Sequence, residues 1–161
     1  MKLLSLLFIL MVFLSCKPRI ETSFSEKALQ DQLVTLSNDM ITFKNVLNHY
    51  KGKKILIDVW ASWCSDCIKS IPKVSQLQKN HPDVVFLFLS INDSLTDLQN
   101  GISKYGIKGE HYLLPSSWDG DLGEFLDLSW IPRYLVIDEI GGIEVFNATR
   151  INDSRILNAL K

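Results

Sequence analysis

Cysteine is scarce in this 161-residue chain, with three in all, at positions 16, 64 and 67. That number excludes a disulfide-stapled miniprotein. Two of the three stand close together, too few for a cysteine-rich zinc site. Histidine is equally sparse: His49, His81 and His111 lie far apart without metal-ligand spacing and are expected as surface or loop residues, so no metal is predicted. Neither sign of charge dominates, because 17 Lys plus Arg meet 18 Asp plus Glu for a net charge of −1. Nucleic acid is excluded as a partner, since binding it requires a basic footprint. What the chain has in quantity is apolar residues, 47% against 22% charged, enough for the core of one globular domain.

The apolar residues are concentrated first at the N-terminus. Met1-Lys2 precedes a nearly unbroken run from Leu3 to Leu14, followed by Ser15-Cys16. One cation followed by about a dozen apolar residues has the layout of a secretory signal. The run stops short of the roughly 20 residues that a membrane-spanning helix needs. Phe13-Leu14-Ser15-Cys16 resembles a bacterial lipobox, with phenylalanine where leucine is usual. That resemblance implies removal of residues 1–15, lipidation of Cys16 and firm anchoring by acyl chains. A protein of the bacterial cell envelope, facing the periplasm, is expected. Residues 17 to about 27 are polar and aperiodic and read as a linker, leaving 28–161 as the folded domain.

Within that domain strands and helices alternate. Leu33–Leu36 and Met40–Phe43 flank an Asn/Asp turn and predict a hairpin. A short helix from Lys44 to Tyr50 should stop at Gly52. Ile55-Leu56-Ile57-Asp58-Val59-Trp60 is the pattern of a central strand buried on both faces, with one charge that needs an explanation. A helix from Cys64 to about Asn80 carries an apolar stripe of Ile68, Ile71, Val74 and Leu77 and is interrupted by Pro72. A second buried strand follows at Val84–Leu89, then a helix over Ser94–Tyr105. Gly106–Trp130 is expected to be irregular apart from a short helix at Asp121–Leu126, with Asp119 to Glu124 as a solvated acidic cluster. Tyr134–Asp138 and Ile143–Phe146 around Gly141-Gly142 form a second hairpin, and Asn152 or Asp153 caps the last helix. The fold class is α/β, a mixed central sheet flanked by helices.

Cys64 and Cys67 stand at the junction of the first central strand with its helix. Residues i and i+3 are one helical turn apart, within disulfide reach. Unpaired N–H groups and the macrodipole at a helix start stabilise a thiolate. Cys64 is thereby the candidate nucleophile and Cys67 the resolving thiol. A static disulfide and half of a metal site remain alternatives.

Residues 55–67, ILIDVWASWCSDC, closely resemble the active-site segment of the thioredoxin-like superfamily. Trp60, Ala61, Trp63, Cys64 and Cys67 match that family's pattern, Asp58 matches its buried aspartate, and Pro72 its helix-kinking proline. Ile131-Pro132 matches its cis-proline loop. The N-terminal hairpin and the segment before Pro132 are most similar to the TlpA/ResA-like membrane-anchored thiol–disulfide oxidoreductases. The resemblance implies a three-layer thioredoxin-like sandwich and a Cys64–Cys67 dithiol/disulfide cycle, with no other cofactor. It makes Asp58 the proton acceptor for Cys67 and Pro132 part of the catalytic loop, and it assigns Trp63 and Ile131 to substrate docking. Its expected partners are disulfide-containing envelope proteins and a membrane electron donor, and a monomer is expected. A copper carrier on the same fold is the alternative, because paired thiolates suit Cu(I).

Ser65-Asp66 departs from the family, which usually has proline second between the cysteines. A carboxylate near Cys64 should raise its thiol pKa and shift the couple toward reduction of substrates, by about 30 mV per pKa unit. Ser65 and Asp66 are accordingly the expected redox-tuning positions.

Overall fold

A computed structural model describes residues 20–161, so Cys16 and the apolar leader lie outside the described residues. The strand read as central is central. β3 (Ile55–Trp60) is buried at every position, which only a strand flanked on both edges and covered on both faces can be. It pairs in parallel with β4 (Val85–Ser90) and antiparallel with β6 (Arg133–Ile137). The first hairpin comprises β1 (Gln32–Thr35) and β2 (Met40–Thr42), turning at Asn38 with φ 68°. Asparagine tolerates that left-handed backbone better than most residues. The last strand, β7 (Ile143–Ala148), pairs antiparallel with β6.

The segment expected to be irregular contains a strand, β5 (Glu110–Leu113), which pairs in parallel with β4 and antiparallel with β1. It closes a seven-stranded sheet in the order β2-β1-β5-β4-β3-β6-β7. His111 on β5 is buried, not a surface or loop residue as the sequence suggested. Its ring stacks on Phe88 at 4.9 Å and its Nε2 bonds the Ile107 carbonyl at 3.3 Å. Burial lowers its pKa, which keeps the ring neutral within the sheet.

Helices cover both faces: α2 (Phe43–His49), α3 (Ser65–Asn80), α4 (Leu95–Tyr105), α5 (Asp121–Phe125) and α6 (Ser154–Ala159). Side chains cap several of them, Thr42 for α2, Ser94 for α4 and Asp153 for α6. Packed structure also begins earlier than residue 28. Ser25 caps α1 (Glu26–Gln30), and Phe24 packs edge-on to Phe43 at 4.9 Å and beside Phe125 at 5.3 Å. The Thr22 carbonyl accepts a bond from the Ile143 amide at 2.9 Å. A single aromatic in a polar stretch gives no periodicity, so the sequence alone reads it as linker.

Register fixes which end of the sheet carries the chemistry. Ile55 pairs with Ile137, which pairs with Ile143, so the Thr22 contact sits where β3 begins. Val59 pairs with Arg133 at the opposite end, where the chain passes into Cys64 and where Pro132 arrives.

Candidate active site

Cys64 and Cys67 are joined by a disulfide, with Cα atoms 5.3 Å apart. Cys64 is the N-cap of α3, and its Sγ accepts the Cys67 amide at 3.2 Å. This places the sulfur at the positive end of a 16-residue helix. Cys67 is 2% exposed and Cys64 8%, so substrate can reach only the outer sulfur. Ile131 and Pro132 join through a cis peptide beside it, and the Ile131 carbonyl oxygen lies 3.6 Å from Cys64 Sγ.

Asp58 supplies the charge that the strand pattern left unexplained. It is 4% exposed, its Oδ1 has no hydrogen-bond partner among the described residues, and burial pushes its pKa up to about 8. Its cross-strand neighbour is Tyr134, and such pairs project from the same face of a sheet. The Tyr134 hydroxyl donates to Ser70 Oγ at 2.8 Å, and Ser70 donates to the Cys67 carbonyl at 2.6 Å. Asp58 therefore faces α3 on the side that carries Cys67, and the Tyr134–Ser70 chain fixes that helix to β6.

Two supports escaped the sequence reading. Asn92, 5% exposed, accepts the Ser62 amide at 3.1 Å and donates to Ser62 Oγ at 2.7 Å, which holds the turn before Cys64. Arg133, 6% exposed, follows the cis-proline. Its guanidinium donates to the Leu126 carbonyl at 3.2 Å and the Trp130 carbonyl at 3.5 Å, bracing the loop that carries Ile131. A cation opening an otherwise apolar strand was the available signal. Arg133→Met would leave buried carbonyls unpartnered. It should cost roughly 1.5–3 kcal/mol in urea unfolding, and an unchanged midpoint would remove this bracing role.

The remaining predicted residues divide by exposure. Trp63 is 56% exposed and lines a hollow of about 380 Å³ with Cys64, Trp118, Trp130 and Ile131. Ser65 and Asp66 are exposed in the first turn of α3. The Asp66 carboxylate meets Lys69 at 3.0 Å, which offsets part of the repulsion expected at Cys64. Among the described residues no group of three His, Cys, Asp or Glu side chains is arranged to hold a metal, so the two cysteines lack a third ligand of these types.

Residues 24–159 match the Redoxin family. The chain is 22% identical to sporulation thiol-disulfide oxidoreductase A of Bacillus subtilis, over 80% of this chain and 72% of that protein. With the thiol-disulfide oxidoreductase ResA of Bacillus thuringiensis it shares 27% identity over 38% of this chain and 37% of the relative. The first curated relatives it matches are thus covered over as little as 32% of their length. Among solved structures, dsbF of Mycobacterium tuberculosis, in mixed oxidized and reduced forms, superposes with a TM-score of 0.63 at 25% identity, covering 86% of this chain and all of that one. The disulfide caps a helix beside a cis-proline and a buried aspartate, and the chain that carries it belongs to the Redoxin family, on a thioredoxin-like fold.

Proposed function

We propose that this protein is a membrane-tethered, extracytoplasmic thiol–disulfide oxidoreductase that works as a reductant of disulfides in cell-envelope proteins. The direction rests on the surroundings of the Cys64 sulfur. A thiolate there would gain the Cys67 amide but face the Ile131 carbonyl oxygen at 3.6 Å, whereas a thiol can donate to that oxygen. A less favoured thiolate makes the dithiol form less stable and the couple more reducing.

The Cys64 thiolate attacks one sulfur of a substrate disulfide; that S–S bond breaks, a mixed disulfide forms, and the departing substrate thiolate takes a proton. Cys67 then gives its proton to the Asp58 carboxylate and attacks Cys64 Sγ, forming the Cys64–Cys67 disulfide and releasing the second substrate thiol. Two electrons pass to the substrate. A dithiol donor at the membrane must restore the pair, since the compartment is oxidising. Tethering rests on the apolar run before Ser15-Cys16.

The test is the reduction potential of the Cys64–Cys67 couple, read by thiol alkylation across dithiothreitol and glutathione buffers. A value near −270 mV, that of thioredoxin, is expected; one near −120 mV would make the protein an oxidant.

A further inference from the structure

The aromatic hollow beside Cys64 adjoins a second one. This neighbour, of about 570 Å³, is lined by Lys69, Lys73, Pro132 and Arg150, and the two share Asp66 and Trp130. Their chemistry differs. The first is walled by Trp63, Trp118 and Trp130; the second holds three cations against one carboxylate. Asp66 is already engaged with Lys69, while Lys73 and Arg150 are exposed and form no ion pair among the described residues. On a chain of net charge −1 this is a local cationic surplus. Trp130, 58% exposed, borders both halves, with Ile131 lining one and Pro132 the other.

We propose that the two hollows form one bipartite docking groove. Its occupant is an extended, cystine-bearing peptide segment with an apolar or aromatic side chain on one side of its reacting cysteine and carboxylates on the other. This rests on the oxidoreductase reading above and adds the substrate class. Only the aromatic half reaches Cys64, so a segment seated there presents its disulfide to the sulfur. Its continuation past Pro132 then enters the field of Lys73 and Arg150. Tryptophans supply contact area at low entropic cost, and complementary charge sets register and encounter rate more than raw affinity.

The test uses the reduced protein and four substrates: hydroxyethyl disulfide, and three cystine peptides. The first peptide carries an aromatic residue and two carboxylates, the second exchanges the carboxylates for lysines, and the third exchanges the aromatic residue for alanine. The acidic peptide should exceed the basic one in the second-order rate constant for oxidising the protein dithiol by roughly three- to tenfold at low salt, and the ratio should shrink as salt rises. Lys73→Glu combined with Arg150→Glu should invert that ratio, and Trp130→Ala should remove the preference for the aromatic residue. Each ratio is taken within one protein preparation, so a partly unfolded variant does not distort it. Turnover of hydroxyethyl disulfide without peptide preference, or with a preference the charge reversals leave unmoved, overturns the groove alone. Failure with all four substrates overturns the reductase reading as well.

Discussion

Cys64→Ser is expected to lower disulfide reduction by a factor on the order of a thousand or more, because the attacking sulfur is lost and Cys67, 2% exposed, is not accessible enough to replace it. Cys67→Ser should fail differently. Cys64 still attacks, but no second thiol resolves the product, so the protein should accumulate as a mixed disulfide. Mass spectrometry should show the added substrate half, and dithiothreitol should remove it. If instead Cys64→Ser forms the adduct and Cys67→Ser does not, the roles are reversed.

Asp58→Asn should change both stability and its pH dependence. Asp58 titrates near 3.8 when unfolded and near about 8 in the fold, where burial disfavours its charge. Between those values the folded chain holds one proton more than the unfolded chain. Stability therefore falls as pH rises across that window, by about 1.4 kcal/mol per unit and ~5 kcal/mol in total. Asparagine carries no such penalty, so the variant should match the parent near pH 4 and exceed it by several kcal/mol near pH 8 in urea unfolding. Catalysis should move the other way. The carboxylate that accepts the Cys67 proton becomes populated as pH rises through about 8. Release of the second substrate thiol in single turnover should climb over that range in the parent. In the variant it should be about a hundredfold slower and lack the climb. An unchanged profile would remove Asp58 from the proton transfer.

Much of this site is legible in the sequence because its residues are local. Asp58, Trp60, Cys64 and Cys67 lie on one strand and the helix that follows it, where spacing marks the cysteine pair and the resemblance to a thioredoxin-like active-site segment marks the others. The supports are not local. Arg133 acts on carbonyls up to seven residues away in a loop, and Asn92 reaches Ser62 across thirty positions. Such contacts leave no pattern in a linear reading. β5 was hidden for a related reason. Its sequence Glu-His-Tyr-Leu alternates only weakly, and its strand character comes from neighbours β4 and β1 on either side. α1 is five residues long, too short for a helical stripe to show.

The bond between Thr22 and Ile143 has a directional consequence. The chain enters the domain at the pole where β3 begins, and the disulfide stands beyond the other end of that strand. Six strand residues cover about 20 Å. The Thr22 contact and the reactive sulfur therefore stand at opposite ends of that strand, like the foot and the tip of a mast. Were the protein held from Thr22 by the tether proposed above, a donor of electrons would have that same length to cover before its thiols met the disulfide.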